Sequence, residues 1–151
     1  MVAITPNASN HKDLAPKAAR FVDVFDLPWE KTKFPGVETK TLLLDKESGL
    51  LTALVKMAPG ARLPDHEHVR IEQTFMIEGT LVDDEGECTT GNFVWRPSGS
   101  RHEAYTPDGG LMLAMFLVPN KFFEDGGLVT DALNQDWQSV WGRAGHLKVV
   151  E

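Results

Sequence analysis

His66 and His68 stand two residues apart, and Glu72 follows four positions after His68, in the stretch GARLPDHEHVRIEQTFMIEG (60–79). A period of two places alternate side chains on one face of a β-strand, so both imidazoles can converge on one point. A carboxylate just after a short break can reach the same point. Two histidines and a carboxylate are ligands suited to a divalent transition metal. A third histidine, His102, ends GNFVWRPSGSRH (91–102). Gly91, Pro97 and Gly99 set up a strand, a stop and a tight turn, which would aim His102 back towards the first pair. The other two of the five histidines, His11 and His146, lie in terminal segments and receive no role. The single cysteine, Cys88, sits beside DDEGE and reads as a bystander.

The chain that must position these residues has 151 of them, enough for one domain with a real core. It is 42% apolar and carries a net charge of −7. That acidity argues against nucleic acid or an anionic membrane as partner, because both demand a basic patch. No 18-residue apolar run and no secretory signal is evident, and one cysteine allows no internal disulfide. A cytoplasmic, reducing location follows as the expectation.

Residues 1–20 carry two prolines and no sustained period, and read as a flexible or partner-docked arm. FVDVF (21–25) is a candidate first strand, and 27–38 a loop punctuated by Pro28, Pro35 and Gly36. From residue 38 the pattern is one of short strands. ETKTLLLD and LLTALVKM flank a turn ending at Gly49, and Met57 falls on the inward set. RLPDHEH is a strand interrupted by Pro64, which a central strand rarely tolerates. EQTFMIE places Glu72, Thr74 and Met76 on one face and Gln73 on the other. LVDD and ECTT flank Glu85-Gly86 as a hairpin. RHEAYT (101–106) and LMLAMFLV (111–118) flank PDGG as another. The last of these strands, apolar on both faces, should be central. About nine strands at short regular spacing indicate an all-β sandwich or barrel. TDALNQDWQSVWGRAG (130–145) reads as a short amphipathic helix with Thr130 or Asp131 as N-cap, docked on the barrel or on a partner subunit.

The two histidine stretches resemble the two cupin motifs position by position. The first reads Gly60, five residues, His66, one, His68, three, Glu72, six, Gly79. The second reads Gly91, five residues, Pro97, one, Gly99, two, His102, and 11 residues separate the motifs. The one departure is Thr106, where the family often has a structural asparagine. The resemblance implies an all-β jelly-roll β-barrel with a short C-terminal helix, as a single domain over 21–151. Its barrel core would span about 38–118 and its tail 119–151. It also implies one divalent metal held by His66, His68, His102 and Glu72, with Glu72 as ligand or base. Fe(II) is the preferred ion, and Zn, Ni, Mn or Co fit the same ligand types.

The region around the motifs is similar to single-domain ChrR-type cupins. The flanks, FLVPNKFFEDGG above all, resemble acetylacetone-cleaving dioxygenases. Four protein ligands on an octahedral ion leave two positions for a bidentate small-molecule substrate, or for substrate and dioxygen. The expectation is a dioxygenase acting on a β-dicarbonyl or hydroxyketone. Its catalytic candidates are Glu72, Arg96 and Tyr105, and its pocket candidates are Met57, Arg62, Arg70, Thr74, Met76 and Phe116. The alternatives are a non-enzymatic metal or ligand sensor related to anti-sigma factor domains, and a zinc-dependent isomerase or binding protein. The arm and the Trp-rich tail want a surface to lie on, so a homodimer is expected.

Overall fold

A computed structural model describes residues 3–145. His146 and the segment after it lie outside the described residues. Two antiparallel sheets face each other. The first has seven strands: β1 (Ala3–Ile4), β2 (Glu30–Lys31), β3 (Val37–Asp45), β4 (Leu51–Met57), β6 (Glu72–Gly79), β9 (Phe93–Arg96) and β11 (Gly110–Phe116). The second has six: β5 (Arg62–Glu67), β7 (Leu81–Val82), β8 (Glu87–Cys88), β10 (Arg101–Tyr105), β12 (Lys121–Phe123) and β13 (Val129–Thr130). A helix, α1 (Trp137–Gly145), closes the described chain. The strand orders are β1-β3-β4-β11-β6-β9, with β2 also on β3, and β13-β12-β5-β10-β7-β8.

The core lies between the sheets, as alternation requires. Val37, Met57, Met76 and Met112 face inward from the first sheet, and Leu81, Cys88, Ala104 and Phe122 from the second. Phe34, from the loop before β3, closes one side by packing on Phe122 at 4.6 Å between ring centroids. Apolar β11 runs between β4 and β6, in the middle of its sheet.

Four local expectations need correction. FVDVF is not a strand: Val24–Asp26 forms a 3-10 turn, and Phe21 and Phe25 are 80% and 95% exposed. The strand count is thirteen among the described residues, not nine, because two-residue pieces pair at the sheet margins. PDGG does not close a hairpin. β10 pairs with β5 and β7, whereas β11 pairs with β4 and β6, so the segment carries the chain from one sheet to the other. Finally, α1 starts at Trp137, not near Thr130. Thr130 belongs to β13, and Asp131 accepts the N–H groups of Leu133 (3.0 Å) and Gln135 (2.9 Å) in a turn. Asp136 provides the cap, accepting from the Ser139 N–H at 2.9 Å. Trp137, Trp141 and Ala144 then bury against Val118, so the helix docks on the chain's own sheets.

The first residues of the expected loose arm pair with β3, Ala3 opposite Asp45 and Ile4 opposite Leu44. Pro64 is tolerated because β12 pairs only with Glu67 and His66, and the β5–β10 register shifts just beyond. No helix among the described residues is long and apolar enough to cross a membrane.

Candidate metal centre

Two neighbouring strands of the six-stranded sheet carry the histidines. His66 on β5 lies directly opposite His102 on β10. His68 follows just beyond β5, tied to the Gly99 turn from both sides. Its N–H donates to Ser100 O (2.8 Å), and the Gly99 N–H donates to His68 O (2.7 Å). Gly99 has φ +83°, a conformation that a side chain would strain. The turn before His102 and the residue His68 are thus one unit. The three rings form a triangle with centroids 4.6, 4.8 and 5.0 Å apart. Their exposures are 2%, 0% and 9% for His66, His68 and His102.

Each ring spends its Nδ1 on a partner outside the triangle. His66 Nδ1 contacts Pro64 O at 2.8 Å. His68 Nδ1 contacts Ser100 O at 3.1 Å and Ser100 Oγ at 3.0 Å. His102 Nδ1 contacts Asp83 Oδ2 at 2.7 Å. Fixing the proton on Nδ1 leaves Nε2 as a lone-pair donor, the tautomer that a metal ligand needs. His68 Nε2 is buried and makes no aligned hydrogen bond, although Glu72 Oε2 lies 2.9 Å from it. Ligands side by side on one ion, each at about 2.1 Å, stand roughly 3 Å apart. The orphaned nitrogen and the nearby carboxylate therefore fit a shared cation. His66, His68 and His102 form a group that can hold a metal ion, with ligand atoms all within 4.8 Å of one another.

Electrostatics keep the group ready. Burial pulls His66 down to about 4, and burial likewise lowers His102, so both rings are neutral at pH 7. Burial alone would push Glu72 up, but the His68 contact and the surrounding imidazoles hold its carboxyl below the usual range. Asp83 is held low in the same way, by His102 and by Arg96, whose Nη1 donates to Asp83 Oδ2 at 2.6 Å.

The remaining candidates fall into different places. Met57, Thr74 and Met76 are buried on the inner face of the first sheet. Phe116, half-buried, stands opposite Glu72 in the β11–β6 register. Arg96 lies opposite Glu72 on β9, and its side chain reaches Asp83. Arg62 and Tyr105 stack on each other (5.1 Å) at an open groove of about 610 Å³ that also reaches His102. Arg70 sits in the loop between β5 and β6. Thr106, fully buried, ties two turns together through its Oγ1 to Ala58 O (3.2 Å). Burial pushes the Cys88 thiol up, which leaves it unreactive.

Three contributors were not found from sequence. Asp83 reads there as a hairpin residue, but the Val82–Tyr105 pairing brings it against His102. Ser100 reads only as part of a turn. Phe122 reads as loop, yet its ring packs on His66 at 4.9 Å. Only the carboxylate pair Asp83-Asp84, next to an apolar strand, gives a sequence signal.

Solved structures share this fold. A protein from Methylibium petroleiphilum PM1, whose assignment as an acetylacetone dioxygenase is itself a proposal, superposes with TM-score 0.69 at 20% identity, covering 85% of this chain and 97% of its own. An acetylacetone dioxygenase from Acinetobacter johnsonii gives 0.65 at 20% identity, over 91% and 99%. The Rhodobacter sphaeroides complex of SigE with the anti-sigma ChrR gives 0.53 at 22% identity, over 60% of this chain and 50% of that one. At such identities the likeness establishes the cupin jelly roll and nothing finer. No curated protein matches the chain. The family model of the ChrR cupin-like domain matches residues 17–121, and the chain belongs to that family.

Proposed function

We propose that this protein is a non-haem, metal-dependent dioxygenase that cleaves a C–C bond in a small β-dicarbonyl or hydroxyketone. The observation that carries the reading is the convergence of three buried imidazoles and one carboxylate held below its usual range inside an apolar core, with an orphaned nitrogen among them. His66, His68, His102 and Glu72 would hold the ion. A bound divalent metal, Fe(II) as the preferred ion, supplies Lewis-acid stabilisation of an enolate and a site for dioxygen. Glu72 either completes the ligand set or accepts the acidic proton between two carbonyls. Met57, Met76 and Phe122 exclude water from the inner face. Arg96 acts through Asp83 to orient His102, and Tyr105 with Arg62 borders the groove that reaches His102. One β-diketone and one dioxygen yield a carboxylic acid and an α-dicarbonyl, so both oxygen atoms are retained in the products.

The test is oxygen consumption by Fe(II)-loaded protein with acetylacetone and with 2-hydroxyacetophenone. The expected result is one dioxygen consumed per substrate, lost in His66→Ala together with the metal. Tight metal binding without any oxygen uptake would overturn the enzymatic reading.

Family membership favours a second reading, a metal or ligand sensor. It predicts metal-dependent binding to a sigma factor of the SigE kind, and no turnover.

A further inference from the structure

Among the described residues, two buried side-chain polar atoms lack a hydrogen-bond partner, His68 Nε2 and Asn120 Oδ1. A shared cation accounts for the first. Neither the fold nor the ligand set accounts for the second. Asn120 is 8% exposed, and an acceptor left unpaired at that depth destabilises the chain that carries it.

Strand register brings the two orphans together. β12 runs antiparallel to β5, with Phe122 opposite His66 and Lys121 opposite Glu67. One further step sets Asn120 opposite His68. The two segments stay side by side beyond the strand ends, since Val118 and Val69 share one apolar cluster. Alternation gives Asn120 the face of Phe122, whose ring packs on His66 at 4.9 Å. Lys121 between them turns to α1 instead, with Nζ 4.4 Å from the centre of the Trp137 ring. Pro119 O accepts from Trp137 Nε1 at 2.8 Å, so the helix holds the chain on both sides of Asn120. The amide is thus preorganised beside the ligand set while its oxygen stays unspent.

We propose that Asn120 Oδ1 accepts a hydrogen bond from the ligand of the metal centre, and so selects ligands that keep an O–H beside their chelating oxygens. Within the proposed substrate class that ligand is the α-hydroxyketone. Whether neutral or as its enediolate monoanion, it keeps one O–H. A β-dicarbonyl that has given up its acidic proton keeps no donor, and its enolate would face Oδ1 acceptor to acceptor. A ligand whose O–H meets the orphan also satisfies a group that is otherwise buried unpaired, which sharpens the discrimination. The inference rests on the ligand set proposed above and not on turnover.

Zinc has no redox chemistry, so calorimetric titration of the Zn(II)-loaded full chain with 2-hydroxyacetophenone and with acetylacetone reads binding alone. Asn120→Leu keeps the size of the side chain and removes the acceptor. Its affinity for 2-hydroxyacetophenone should fall about tenfold or more, and for acetylacetone by less than about twofold. Zinc stoichiometry should not change. Metal-free Asn120→Leu should unfold at a urea midpoint equal to or above that of wild type, because an apolar group replaces an unpaired acceptor; a merely structural amide would lower it. Four results would each overturn the proposal: no binding of 2-hydroxyacetophenone to wild type, equal losses for both ligands, a loss confined to acetylacetone, or a lowered midpoint. Oxygen uptake by the Fe(II)-loaded protein decides the dioxygenase reading separately, so the two fail independently.

Discussion

Acid should destabilise the metal-free protein well above the pH at which its carboxylates protonate, and His66 should be the main cause. His66 has an ordinary pKa of 6.5 and is brought to about 4 in the folded chain, chiefly by burial. The folded state therefore keeps the ring neutral where the unfolded chain already takes up a proton. Stability from this group is complete above pH 6.5 and is lost as pH falls from 6.5 towards 4. Integrating over that proton to pH 4.5 gives a loss on the order of 2–3 kcal/mol. His102 is lowered in the same direction and adds to it. Glu72 and Asp83 are held below 4.5 and 3.8, so their own contributions are lost only at lower pH. The interval from 7 to 4.5 thus isolates the histidines. For a chain of this size the loss corresponds to a fall in Tm of roughly 5–10 °C. The assay is urea or thermal unfolding of chelator-treated protein at steps across that interval, for wild type and His66→Gln. The slope with pH is compared, not the absolute stability, because the substitution also disturbs the contact with Phe122. A wild-type profile flat from pH 7 to 4.5, or an equal slope in His66→Gln, would refute the reasoning.

Asp83→Asn keeps the shape of the side chain but removes the anion that accepts from His102; metal affinity should fall about 10- to 100-fold in a chelator competition. Gly79→Ala should cost more than about 2 kcal/mol by urea midpoint. Gly79 has φ +88°, and an added Cβ would stand 2.2 Å from Gly109 O, where β6 meets the start of β11.

What sequence could show depended on the distance over which a feature is determined. The convergence of His66, His68 and His102 was legible because spacing and turn glycines are local. Strand parity was legible for the same reason, and it placed Met57 and Met76 inward and Gln73 outward. The hairpin over PDGG was misread because a Gly-rich turn has the same composition whether it joins paired strands or crosses between sheets. Only the partners of β10 and β11 distinguish the two, and those partners are distant in sequence. The helix start was misread because Asp131 is a good capping residue, but here it closes a turn and also accepts from Trp141 Nε1 at 2.9 Å. Asp83 was invisible because its position depends on a β7–β10 contact.

The partners of the three imidazoles differ in charge, and that difference sets the charge of the whole centre. His66 and His68 lean on neutral oxygens, from Pro64 and Ser100. His102 leans on a carboxylate whose side chain is 1% exposed. A buried anion of that kind would be costly alone, but Arg96 from the opposite sheet pairs with the same oxygen. Asp83 and Arg96 together are neutral, so they orient His102 without adding net charge. Glu72 then supplies −1 to the inner site, and imidazoles that bind a metal through Nε2 do so as neutral ligands. A divalent ion would bring the centre to +1, a poor fit for a neutral apolar ligand and a good one for a monoanion in a low-dielectric core. The enolate of a β-dicarbonyl, a monoanion with two oxygens, would match that charge. The charge count thus gives the proposed substrate class a physical basis in the chain's own residues. It also makes Glu72→Gln informative. The variant raises the loaded centre to +2, so it should favour dianionic chelators over monoanionic ones, a reversal readable by competition binding without turnover.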